Sequence, residues 1–146
     1  MSLTTPETSR VQAEITKRLA YHAAALGHGD VEAALELYTT DAVVRPANME
    51  PVRGRDALRE FFTRWFAAMT VKDGGYATEE LDVHGDRAYQ IGTYRGVSQP
   101  HGQQAVPDRG SFMIIWARQG DGSWRYYRGI FNSSLPADRT ISSKGQ

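Results

Sequence analysis

Apolar residues recur along this chain first at helical spacing and then at strand spacing. Val11, Ile15, Leu19, His22, Ala23 and Leu26 fall three or four residues apart, which predicts one face of an amphipathic helix. Thr5, Pro6 and Glu7 supply its start: a hydroxyl cap, a proline in the first turn and an acid at the positive dipole end. Gly27 and Gly29 end it. Asp30 caps a second helix with Val31, Ala34, Leu35 and Tyr38 on its inner face. Thr39-Thr40-Asp41 breaks that helix, and Ala42–Arg45 reads as a strand stopped by Pro46. Gly54 to Asp56 opens a third helix, in which Leu58, Phe61, Phe62, Trp65, Phe66 and Met69 give the strongest periodicity of the chain. Each such side chain, fully buried, contributes roughly 1.5–3 kcal/mol, so this helix is expected to be a principal core element. After Gly74-Gly75 the pattern becomes that of strands: Tyr76–Val83, Arg87–Val97, Gly110–Arg118 and Trp124–Ser133. Turns fall at His84-Gly85-Asp86 and Gly120-Asp121-Gly122, and a polar loop spans Ser98–Asp108.

Helices followed by sequential strands, with one extra strand between helices, predict a single α+β domain over residues 1–146. Its core runs from about residue 10 to 136, with frayed ends at 1–4 and 137–146. At 146 residues the chain buries about two-thirds of its unfolded surface. The strand Phe112–Ala117 is apolar on both faces, whereas a sheet solvated on one side should alternate. The helices cover one face, so a second copy of the chain is expected on the other, a homodimer through the outer sheet face. Trp124, Tyr127 and Phe131 supply further apolar surface on both sides of the last strand.

Charge narrows the partner classes. Acidic and basic residues number 17 each and alternate, so no nucleic-acid partner is expected. There are no cysteines, which removes disulfides and thiolate chemistry. The start MSLTTPETSR lacks the basic and apolar regions of a secretory signal, and no apolar run approaches the about 20 residues of a membrane span. A soluble, cytoplasmic protein without membrane association is the expectation.

Several stretches together resemble the nuclear-transport-factor-2-like superfamily, in its SnoaL-like and ketosteroid-isomerase-like branch. They are Ala24-Ala25-Leu26 with Gly29-Asp30, then Leu37–Val44, Gly54–Leu58, Gly110–Trp116, Asp121–Trp124 and Ile130–Ser133. The resemblance covers about Arg10 to Pro136. It implies a cystatin-like cone, with a strongly curved antiparallel sheet wrapped around the three N-terminal helices and a pocket at the open end. It also implies frequent dimerisation. Superfamily members include isomerases, cyclases, dehydratases and non-catalytic carriers, so function must be argued from single positions.

His22 falls inside the apolar stripe of the first helix, and the resemblance aligns it with a tyrosine that donates to the oxyanion in ketosteroid isomerases. A neutral histidine could donate likewise, or else be a hydrogen-bonded histidine of the core. The isomerases' proton-shuttling carboxylate corresponds here to Pro46, beside cationic Arg45, and their second acid falls near Gly110, with Asp108 close by. Gly129 stands where relatives often carry an acid. His22 is therefore the leading catalytic candidate and Asp108 a weaker one.

The remaining pocket candidates are Tyr38, Arg45, Asn48, Trp65, Tyr89, Ser111 and Asn132. Tyr38 would place its ring in the core and its hydroxyl toward the cavity. Asp41 is expected to cap backbone amides at a turn. Tyr89 and Tyr94 have opposite strand parity, so at most one faces the cavity. Ser111 and Asn132 are polar groups in apolar strands and need partners. Ser98–Asp108 is read as a solvated connector, or else as a lid carrying His101 or Asp108 over the mouth.

The four histidines show no ligand spacing, so no metal and no cofactor are expected. The inventory points first to a protein that binds a small, mostly apolar organic ligand, with at most weak isomerase- or cyclase-type activity. A cofactor-independent isomerase, polyketide cyclase or dehydratase using His22 as acid or base is the alternative. A dimerisation module without catalysis is the third reading.

Overall fold

The computed structural model describes residues 5–136. The expected frayed ends at 1–4 and 137–146 lie outside the described residues. Helix α1 runs from Pro6 to His28, with the Thr5 side chain accepting the Thr8 amide and Gly29 closing it in the left-handed conformation at φ 65°. Helix α2, Val31–Leu35, is capped by the Asp30 side chain, and α3 spans Arg55–Ala68. The strands are β1 Tyr38–Arg45, β2 Val52–Arg53, β3 Met69–His84, β4 Arg87–Pro100, β5 Val106–Arg118 and β6 Trp124–Ser133. They form one sheet in the order β2-β1-β6-β5-β4-β3.

Five sequence expectations are corrected. Tyr38 belongs to β1 rather than to the second helix, because it pairs in the sheet with Tyr126 of β6. That β1–β6 pairing is parallel, so the sheet is mixed rather than wholly antiparallel. Gly74-Gly75 does not precede the third strand but lies inside it, at a register shift between Lys72 and Gly75 with Asp73 at φ 54°. The polar loop shrinks to residues 101–105, which places Asp108 on β5. Asp41 also differs: its carboxylate accepts the Thr39 hydroxyl at 3.0 Å and caps no amide.

The core lies between α1 and the concave face of the sheet. Ile15 of α1, Leu35, Leu58, Ile114 and Trp116 are essentially inaccessible. One polar chain crosses this core fully paired: Trp116 Nε1 donates to Gln90 Oε1 at 2.9 Å, and Gln90 Nε2 donates to Thr78 at 2.8 Å. The third helix contributes less core than its periodicity suggests. Leu58 and Phe62 are buried, while Phe61 and Trp65 stay half-buried because they face a cavity, and half-buried Phe66 lies beside Gly29. No helix among the described residues is long and apolar enough to cross a membrane.

Candidate functional site

The open end of the cone holds a cavity of about 940 Å³. The stretch from α1 to β2 supplies His22, Tyr38, Val44 and the Pro46–Pro51 loop, while α3 supplies Phe61, Phe62 and Trp65. The far wall comes from β3, β4, β5 and β6, through Tyr76, Tyr94, Arg95, Asp108 and Phe131. The α3 rings stack: Phe62 and Trp65 lie 6.1 Å apart at 21°, and Trp65 and Phe66 lie 5.9 Å apart at 21°. The wall is therefore mainly apolar and aromatic.

Two polar pairs interrupt it. In the first, His22 Nδ1 lies 3.1 Å from the Ala34 carbonyl and Nε2 lies 3.4 Å from the Tyr38 hydroxyl. A carbonyl only accepts, so Nδ1 carries the ring proton and Nε2 accepts from Tyr38. Helix α2 is too short to use the Ala34 carbonyl beyond its C-cap, which leaves that oxygen for the imidazole. Burial lowers the His22 pKa from 6.5 to about 4, with the Ala34 bond opposing the shift. Burial likewise raises the pKa of Tyr38, and that of Tyr76 to about 12. This pair is neutral at pH 7. Its one ring proton is held by the Ala34 carbonyl, which is the arrangement of a satisfied core histidine.

In the second pair, the Tyr94 hydroxyl donates to Asp108 Oδ2 at 2.9 Å and Ser133 Oγ donates to Oδ1 at 2.6 Å. Burial first, and then the Asp108 carboxylate, raise the Tyr94 pKa. Asp108 is thus a carboxylate on the cavity wall with one hydrogen bond on each oxygen.

Of the sequence candidates, the structure brings together His22, Tyr38, Trp65 and Asp108 on this cavity. Arg45, Asn48, Tyr89, Ser111 and Asn132 do not line it. Arg45 is an exposed residue closing β1, and Asn48 is a left-handed turn residue at φ 61°. Tyr89 sits on the outer face against His84, while Tyr94 takes the inner position, packed on Phe131. Asn132 Oδ1 accepts the Ser111 backbone amide across the strands. The loop tip, His101 included, stays outside the lining, as the solvated-connector reading has it, and the Pro46–Pro51 loop forms the rim.

Sequence reasoning missed Tyr76 and Arg95. A count back from the hairpin turn, together with the glycine facing Arg95, was the available signal. At Gly129 a Cβ would lie 1.9 Å from the Tyr126 hydroxyl, so the glycine makes room for that ring. Among the described residues no three His, Asp or Glu side chains cluster as metal ligands.

A family profile described as the SnoaL-like domain matches residues 19–127. The chain belongs to the SnoaL-like domain family. Solved structures agree with the SnoaL-like assignment in fold. A ketosteroid isomerase-like protein from Erwinia carotovora atroseptica superposes with a TM-score of 0.74 at 21% identity, over 85% of this chain and 96% of that one. An NTF2-like superfamily protein from Salmonella enterica reaches 0.75 at 15% identity, over 90% and 96%. An NTF2-like protein with a cystatin-like fold from Novosphingobium aromaticivorans reaches 0.67 at 16% identity, over 99% of both chains. No curated protein sequence matches this SnoaL-like chain.

Proposed function

We propose that this protein binds a small, mostly apolar organic molecule in the cone cavity, without a cofactor. The observation that carries the reading is the 940 Å³ aromatic cavity whose polar groups on the α1 side are already satisfied internally. Such a site recognises shape and ring surface, with few oriented polar groups. Turnover through His22 is disfavoured, because a buried imidazole with both nitrogens engaged and a pKa of about 4 is a poor acid or base near pH 7.

Trp65 gives a direct readout. It lines the cavity, whereas Trp116 and Trp124 are buried in the core. Aromatic compounds at millimolar concentration are expected to raise the melting temperature by several degrees and to quench tryptophan emission. Trp65→Phe should keep the thermal shift and lose the quench. A broad aromatic library that produces no shift, or shifts accompanied by a quench that persists in Trp65→Phe, sinks the reading.

The homodimer belongs to the same proposal. Tyr89, Met113 and Ile130 are 41%, 44% and 53% exposed on the outer face, and Met113 pairs directly with both Ile91 and Ile130. A contiguous apolar patch of this kind supports an interface. Sedimentation should give a dimer for the wild type and a monomer for Met113→Glu. A monomeric wild type at tens of micromolar ends that part of the proposal.

A further inference from the structure

A second cavity of about 580 Å³ lies outside the first, in the groove between α1 and β3. The two share a wall made of Ala23, Gly74, Gly75, Tyr76 and Arg95. Two of these five are glycines, so the wall is thin there. A Cβ on Gly74 would come within 3.9 Å of the Ala23 Cβ, which shows how closely α1 and the β3 bulge approach.

Arg95 is set in this wall by the backbone. It pairs with Gly75 across the β3–β4 ladder, just beyond the bulge that Asp73 and Gly74 create. Its guanidinium lies over Gly75, where a Cβ would stand 2.7 Å from Nη1 and 3.0 Å from Cζ. Any side chain at position 75 would displace it.

The cation is also unspent. Among the described residues Arg95 makes no salt bridge and no side-chain hydrogen bond. The neighbouring carboxylate, Asp108, is already occupied by Tyr94 and Ser133. Of the other cavity-lining arginines, Arg64 is paired with Glu60, and Arg53 stands on the short strand β2 at the opposite side of the sheet order. Asp73, the one acid of the outer groove's lining, does not reach the inner cavity.

We propose that Arg95 is the anion-binding residue of this site, and that the ligand is an organic anion. Its apolar ring body lies against Phe61 and Trp65, and its carboxylate or comparable anionic group meets the guanidinium at the wall between the two cavities. This rests on the small-molecule reading above and adds the ligand's charge. An arginine fork matches a carboxylate bidentately, and because Arg95 is exposed that contact is open to screening by salt. A merely solvated arginine would confer no preference for charge.

Two fluorescent probes of nearly the same shape separate these cases: anilinonaphthalenesulfonate and its uncharged counterpart phenylnaphthylamine. Titrations at low ionic strength should show the wild type binding the sulfonate at least about tenfold more tightly, the scale of one charged hydrogen-bonded contact. Arg95→Met should abolish that preference while leaving the neutral dye's affinity unchanged. Arg53→Met, the control, should retain it. Equal affinities in the wild type, survival of the preference in Arg95→Met, or its loss in Arg53→Met each overturn the proposal. If the neutral dye binds and no charge preference exists, only the role of Arg95 fails; if neither dye binds, the small-molecule reading falls with it.

Discussion

Gly110→Ala is expected to destabilise the protein by at least about 3 kcal/mol, the upper range for forcing an atom into a packed interior. A Cβ at this position would stand 1.8 Å from the carbonyl oxygen of Asn132 and 2.9 Å from the Tyr94 ring. The first of those atoms is backbone. It belongs to β6, which is held in register with β5 by the Gly110–Ser133 and Ser111–Asn132 pairings, so relief requires breaking the ladder. Gly92 is crowded in the same way, with the Ala77 carbonyl 2.3 Å from its would-be Cβ. Gly120→Ala is the control, since a Cβ there meets nothing within 4 Å. In thermal denaturation the first variant should lose about 10 °C and the second almost nothing. A Gly110→Ala protein within 1 °C of the wild type would show that β6 slides freely. The result bears on function, because the resemblance directs a second acid to this neighbourhood. No side chain fits at 110, and the carboxylate on the cavity wall is that of Asp108 instead.

Elements that carry their own punctuation were legible. Thr5-Pro6 and Gly29 bound α1, Gly54 opens α3, and the turn at Gly85-Asp86 sets the hairpin between β3 and β4. What failed depends on distant partners. Tyr38 continues the helical spacing of Val31, Ala34 and Leu35, and only its pairing with Tyr126, far along the chain, makes it a strand residue. Parity shows that Tyr89 and Tyr94 oppose each other, but not which is inside. The turn register pairs Tyr89 with Asp82, yet a bulge between Thr78 and Glu80 shifts Tyr94 to Tyr76. The candidate site suffered most. Its polar pairs join α1 to β1 and β4 to β5, contacts that no local window contains. Arg95 was invisible for the same reason, since it matters through Gly75 opposite and through the groove behind it.

Acid should expose His22. Its pKa is about 4 in the folded chain against 6.5 in the unfolded one, because the buried ring cannot be charged without desolvation cost. The native state is therefore neutral at this position throughout the range above pH 4. Below pH 6.5 the unfolded chain takes up a proton that the folded chain refuses, so stability falls as pH drops from 6.5 toward 4 and is unaffected by this group above 6.5. At about 1.4 kcal/mol per pKa unit, the loss by pH 4 is about 3 kcal/mol. Urea denaturation of the wild type and His22→Gln at pH 7, 5 and 4 isolates it, since carboxylates contribute equally to both proteins. The variant starts lower at pH 7, having weakened the bond to Ala34, and the two curves should converge as the pH falls. Tyr38 and Tyr76 stay protonated across this window, because burial moves both upward. Parallel curves would mean that His22 titrates normally in the folded protein, and would return it to consideration as an acid or base. Convergence would leave the His22–Tyr38 pair as a neutral, internally satisfied part of the cavity wall, with the charged groups, Asp108 and Arg95 among them, on other parts of the lining.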